Sequence, residues 1–113
     1  MLPARIPKPR KRSSRWRSPS HCTFVRSHEC CVPNCDGRPI EVAHIRKGSG
    51  AGMGQKPDDW NTISLCRDCH ATQHRLGEDS FAKLTGIDMQ ALAAEFAKAS
   101  PKAMEIKREK ESR

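Results

Sequence analysis

Residues 61–74 read Asn61-Thr62-Ile63-Ser64-Leu65-Cys66-Arg67-Asp68-Cys69-His70-Ala71-Thr72-Gln73-His74. The stretch changes character at Cys66. Thr62 to Leu65 read as a short strand. From Cys66 onward the residues are good helix formers, and Cys66, Cys69, His70 and His74 share one helical face. Gly77 is the expected stop, because glycine accepts the left-handed conformation common at helix ends. Two thiols one turn apart, followed by two imidazoles at i and i+4, give this one helix two sets of metal-binding side chains.

Working outward, residues 38–45 (Arg38-Pro39-Ile40-Glu41-Val42-Ala43-His44-Ile45) alternate loosely enough to predict a strand ending at His44. Residues 47–57 hold four glycines and predict a mobile loop between the two strands. Upstream, Ser20 is a candidate cap for a short helix with Phe24 and Val25 on its apolar face. Downstream, Asp88 is a good N-cap, and Met89, Leu92, Ala93 and Phe96 predict a helix whose apolar stripe docks on the domain. Pro101 ends it, and the charged remainder is expected to extend as a solvated helix or to fray.

The chain has 113 residues, of which 35% are hydrophobic and 4% aromatic. A core drawn from so little apolar material supplies only about 3–5 kcal/mol, so a cross-link or a metal is expected. No apolar run approaches the ~20 residues of a membrane span, and cations occupy the N-terminus where a signal peptide has its apolar stretch. The chain is therefore read as intracellular and cytoplasmic, a reducing setting in which clustered cysteines hold metal rather than form disulfides. Cys66 and Cys69 make one pair. The segment Cys30-Cys31-Val32-Pro33-Asn34-Cys35 offers a second, formed by Cys35 with Cys30 or Cys31, and the reading leans to Cys30. Two pairs about thirty residues apart suit a tetrahedral structural zinc site. Cys22 stands apart as a small core residue or a free thiol.

The net charge of +8 is concentrated at one end. The first twenty residues carry seven Lys/Arg and no acid, leaving the rest nearly balanced. Rich in Pro, Ser and cations, this arm is expected to be disordered alone and to bind polyanions, DNA or RNA, through Arg10, Lys11, Arg12 and Arg15. Trp16 is expected to stack on an exposed base.

With these residues in view, the chain resembles the HNH endonucleases, also called ββα-metal or His-Me finger nucleases. His44, Asn61 and His70 follow that family's order. Asn61 to His70 looks like its Asn-Leu-x-x-Leu-Cys-x-x-Cys-His stretch, and the paired cysteines match the zinc-stapled branch. Residues 30–81 look most like small phage and prophage members. The resemblance covers about half the chain and implies a small, zinc-stabilised α+β fold: a ββα-metal finger with flanking helices and disordered termini. The expected division is a disordered basic arm (1–19), a zinc-stapled HNH nuclease domain (20–86), and a C-terminal helix with a charged tail (87–113).

Carried over by position, the resemblance makes His44 the general base that activates water for attack on a DNA phosphodiester. His70 and His74 would hold Mg²⁺ or another divalent cation at the scissile phosphate. Asn61 would hydrogen-bond across the loop and orient His44, and Arg46 and Arg75 are candidates for phosphate contacts. DNA is the implied partner, with a phage recombination or packaging protein as a further one. One departure stands out. Most members have a metal-ligating Asp or His immediately before the catalytic histidine, and here the residue is Ala43. Either two histidines, waters and substrate suffice, or Asp58 or Asp59 reaches in, or activity is weak or absent. The alternatives are a zinc-stapled nucleic-acid-binding module without catalysis and, ranked last, a zinc-binding interaction protein whose C-terminal helix docks a partner.

Overall fold

Two five-residue strands, β1 (Ile40–His44) and β2 (Thr62–Cys66), pair antiparallel with Glu41 opposite Leu65, Ala43 opposite Ile63 and His44 opposite Thr62. The computed structural model describes residues 1–7, 15–52 and 54–113. Five helices surround the hairpin: α1 (Pro19–Arg26), α2 (Arg67–Leu76), α3 (Glu78–Thr85), α4 (Met89–Ala99) and α5 (Ala103–Glu111). The protein is thus a small α+β chain. No helix among the described residues is long and apolar enough to cross a membrane.

Every residue of β2 is buried, since α1, α2 and α4 all pack against it. Its Thr-Ile-Ser-Leu alternation is that of a half-exposed strand, so the burial of Thr62 and Ser64 comes from the helices that cover the second face. Ile63 and Leu65 join Ala43, Ile45, Phe81, Met89 and Ala93 in the main core. Ser64, the polar member, donates its hydroxyl to Glu29 O at 2.7 Å, so its burial leaves no unmet donor.

The helix ends follow their capping chemistry. Ser18, rather than Ser20, caps α1: its hydroxyl accepts from the His21 N–H, and Pro19 takes the first helical position, where its missing N–H costs nothing. Gly77 ends α2 at φ +85°, its N–H donating to Gln73 O. The chain then enters α3, a helix the sequence reading passes over although Glu78 and Asp79 in its first turn and left-handed Gly86 at its end both mark it. Asp88 caps α4 as expected, accepting from Ala91 N–H at 3.1 Å, with Met89 and Ala93 buried and Leu92 and Phe96 packed against the core.

The chain's two ends differ from expectation. Trp16, expected to offer its face to a base, is only 8% exposed and forms a second apolar cluster with Trp60, Ala97 and Ile106. α5 therefore packs through Ile106. Residues 15–18 lie as a strap along residues 55–59: Trp16 O accepts from Asp59 N–H at 3.0 Å, and the Arg17 guanidinium donates to Lys56 O at 2.9 Å and to Pro57 O. Short of water, a tryptophan supplies more apolar surface than anything else in this poorly hydrophobic chain, which is why it goes inside.

Candidate active site and metal centre

The sulfurs of Cys30, Cys35, Cys66 and Cys69 all lie within 4.8 Å of one another. Cys35 Sγ stands 3.8 Å from both Cys66 Sγ and Cys69 Sγ. Ligands 2.3 Å from a tetrahedrally bound zinc are separated by about 3.8 Å, whereas a disulfide needs about 2.05 Å, so the spacing is that of a metal shell. The open choice resolves to Cys30: Cys31 turns aside, with its N–H on Ser64 O at 2.9 Å and its thiol 3.4 Å from the Ser64 hydroxyl.

Local backbone features bring these thiols together. Asn34, at φ +63°, turns the chain so that Cys35 N–H meets Val32 O at 3.1 Å. Cys66 ends β2 and caps α2, its sulfur accepting from Cys69 N–H at 3.4 Å. That bond and the other thiols hold Cys66 below the ordinary thiol value, although burial works the other way. Burial, then the neighbouring Cys66, Cys35 and Cys30, push Cys69 far up. Four thiols this close cannot all ionise unaided, and a divalent metal such as zinc relieves that conflict.

Beside α2 lies an open cleft of about 1300 Å³, lined by His44, Asp59, Glu41, His70 and His74, with Arg17, Arg46 and Lys56 on its walls. The i, i+4 spacing brings His70 Nε2 and His74 Nε2 to 3.1 Å. Two nitrogens about 2.1 Å from one ion in adjacent octahedral positions are about 3.0 Å apart, so the pair fits a shared cation. His70 Nδ1 bonds Glu41 Oε1 at 2.9 Å. A carboxylate there calls for a proton on Nδ1 and leaves Nε2, beside His74 Nε2, with the lone pair that a metal needs.

His44, at the end of β1, sits on the same cleft with its Nε2 2.8 Å from Asp59 Oδ1. Burial lowers the His44 pKa below the usual histidine value; Asp59 opposes this, while Lys56 and Arg17 add to it. Asp59 is buried. Burial alone would raise its pKa, yet bonds from His44 and the Ser18 N–H, with the charges of His44 and Arg17, hold it below the usual carboxylate range.

Other expected residues are placed differently. Asn61 lies away from the cleft, beside a separate cavity of about 130 Å³ shared with Ile45, Trp60 and Lys110. Its main-chain carbonyl accepts from Ile45 N–H at 2.8 Å and closes the hairpin, but among the described residues its side chain makes no bond to His44. The side chain that meets the His44 ring is that of Asp59. Neither acid reaches the histidine pair as a ligand: Asp59 holds His44, and Asp58 pairs with Arg15 at 3.3 Å and Arg113 at 2.7 Å. Arg15, expected to grip DNA, is thereby occupied, also donating to Gly50 O at 2.7 Å and Gln55 at 3.0 Å. Arg46 lines the cleft; Arg75 is exposed on α2 outside it. Arg10, Lys11 and Arg12 lie outside the described residues. Ala43 is fully buried in the core. Nothing in the sequence pattern marks Arg17 as a cleft residue, and only the position of Glu41 on β1 hints at a role.

The family model described as "Protein of unknown function (DUF968)" matches residues 4–102. The chain belongs to this family. The DUF968 match takes in both thiol pairs, all three cleft histidines and α4. No curated protein and no solved structure matches the chain.

Proposed function

We propose that the chain is a metal-dependent endonuclease of the HNH kind that hydrolyses DNA phosphodiester bonds, with a structural zinc on Cys30, Cys35, Cys66 and Cys69. The observation that carries this reading is the meeting of three histidines on one open cleft, two of them with ring nitrogens 3.1 Å apart. The element order β1, β2, α2, with the loop between the strands bordering the cleft, supports a ββα-metal arrangement.

In this reading His44, kept neutral by its burial, takes a proton from water. The resulting hydroxide attacks phosphorus, the bond from phosphorus to the 3′ oxygen breaks, and that oxygen leaves with a proton from solvent. A divalent cation held by His70 and His74 would supply positive charge to the scissile phosphate and the leaving oxygen. Glu41 fixes the His70 ring so that Nε2 faces the cleft. Arg46 and Lys56 offer positive charge to the nucleic-acid backbone along the cleft.

One observation favours the non-catalytic alternative, a zinc-stapled nucleic-acid-binding module: with Ala43 in the core, β1 contributes no ligand beside the two histidines. Plasmid incubated with the zinc-loaded protein and Mg²⁺ or Mn²⁺, with and without EDTA, separates the two. Nicking that requires the added metal and drops about 10²–10⁴-fold in His44→Ala, with the fold and zinc content retained, is the expected result. Binding without metal-dependent nicking would leave the module.

A further inference from the structure

The acids Asp58 and Asp59 are adjacent, yet they serve opposite sides of the chain. Both are almost wholly buried, at 1% and 5% exposure, and a buried carboxylate is tolerated only when its oxygens are met by donors. Asp58 meets the chain ends through Arg15, Arg113 and the Trp16 N–H. Asp59 meets the cleft. One oxygen lies 2.8 Å from His44 Nε2 and 3.6 Å from an Arg17 guanidinium nitrogen, and the other accepts the Ser18 N–H at 2.8 Å.

We propose that Asp59 is the positioning residue of the His44 centre: its carboxylate holds His44 in the tautomer protonated on Nε2, leaving Nδ1 as the bare base atom, and the strap Arg15–Ser18 holds Asp59 in place. The assignment of Nδ1 as base rests on the nuclease reading; the tautomer itself does not. An ionised carboxylate only accepts hydrogen bonds, so the ring nitrogen facing it must carry a proton. A neutral imidazole has one such proton, so the other nitrogen is left with a lone pair. The same division of labour between carboxylate and imidazole operates wherever an acid orients a histidine base. Asn61, expected to orient His44, does so only through the main chain of the hairpin.

The strap makes this arrangement firm. Asp59 N–H is bonded to Trp16 O, Arg17 spans Lys56 O and Pro57 O, and Ser18 both caps α1 and donates to Asp59. The four residues at the end of the basic arm are thus built into the support of the catalytic base.

The test uses the full zinc-loaded chain labelled with ¹⁵N, read by long-range correlation of the imidazole nitrogens. In the wild type, His44 should show a protonated Nε2 and a bare Nδ1; in Asp59→Ala the two tautomers should mix. A His44 protonated on Nδ1 in the wild type, or an unchanged tautomer in a folded Asp59→Ala, overturns the inference. Asp59→Asn gives the kinetic arm, keeping an acceptor of the same shape without the charge. On a DNA duplex, kcat should fall about 10²-fold with KM within about twofold, because the lost interaction orients the base rather than binding substrate. The acid limb of its pH–rate profile should move to lower pH. Loss of the negative charge leaves Arg17 and Lys56, with the divalent cation that His70 and His74 would hold, to disfavour protonated His44. An unchanged kcat and profile overturn the positioning role. Absence of cleavage by the wild type instead overturns the nuclease reading, and the nitrogen spectra still decide the tautomer.

Discussion

Trp16 lies against Trp60 with ring centroids 5.4 Å apart and planes 28° from parallel, joining the end of the N-terminal arm to the loop that precedes β2. Trp16 Nε1 also donates to Glu105 on α5 at 3.2 Å, and the Arg113 guanidinium lies 5.0 Å from the Trp60 ring centre. Both chain ends are therefore fastened to the same indole pair. Offset aromatic stacking and a cation over a ring each add about 0.5–1.5 kcal/mol beyond the area they bury. Removing residues 1–14 should weaken DNA affinity and flatten its salt dependence while leaving the melting temperature nearly unchanged. Removing residues 1–17, or Trp16→Ala, should cost about 3–5 kcal/mol. Equilibrium denaturation of the three variants, beside binding at two salt concentrations, separates the arm's electrostatic role from its strap.

The thiol cluster should behave as part of the fold. Cys66→Ser or Cys69→Ser, or treatment with a strong zinc chelator, should remove the bound metal and unfold the chain, because metal affinity and folding are one free energy in so small a core. Gly37 provides a finer probe. A Cβ there would lie 2.7 Å from Cys66 Sγ and 2.9 Å from Cys66 Cβ, closer than atoms approach. Gly37→Ala should therefore lower zinc affinity and melting temperature without removing any ligand. Metal content by mass spectrometry and melting curves provide the check; an Ala variant that melts with the wild type would show that the loop yields.

Ala43→Asp inserts a carboxylate at the position where a metal ligand was expected. In this fold the side chain would enter the core beside Ile63 and Leu65 rather than the cleft. The variant should lose several kcal/mol of stability and gain no activity, since an unpaired buried carboxylate is among the costlier substitutions. A rise in metal-dependent cleavage at unchanged stability would mean that the strand presents residue 43 to the cleft.

Acid should loosen the structure in two stages. His21 is fully buried, with Nδ1 2.8 Å from the Ser100 hydroxyl and Nε2 without a hydrogen-bond partner among the described residues. Burial lowers its pKa, against the pull of nearby Asp59 and with the push of Lys110. His44 is lowered also. As pH falls below the unfolded value of 6.5, the unfolded chain takes up protons that the folded chain refuses, so stability declines through that window. Asp59 has the depressed carboxylate: its contribution is full above the unfolded value of 3.8 and is lost as pH drops through its folded value. Melting temperatures from pH 7.5 to 5 should fall in the wild type and fall less steeply in His21→Gln. Parallel slopes would remove His21 from this account.

Much of the skeleton was readable because it rests on local rules. The turn from β2 into α2 at Cys66, the stop at Gly77 and the cap at Asp88 each follow from the chemistry of one or two residues. The meeting of the four thiols was legible too, since metal shells impose spacing on the sequence. What stayed hidden depends on where loops lie in space. Nothing in the pattern around Asp58-Asp59 says which acid turns toward His44, and only the strap with Trp16 and Ser18 decides it. The burial of Trp16 was masked by its cationic neighbours, and the inward direction of Ala43 by the looseness of β1's alternation. α3 was missed for a smaller reason: Gly77 was read as an end when it is also the residue before a new helix.

Cys66 is at once the last residue of a strand, the cap of the helix that follows, and a sulfur of the cluster. An oxidant that reaches that one atom strikes all three at once: it breaks the shell, strips the cap from α2 and frees the seam between hairpin and helix. His70 stands only four positions further along. Damage to the scaffold would thus arrive at the cleft almost without delay, making redox stress and loss of whatever chemistry the histidines perform a single event.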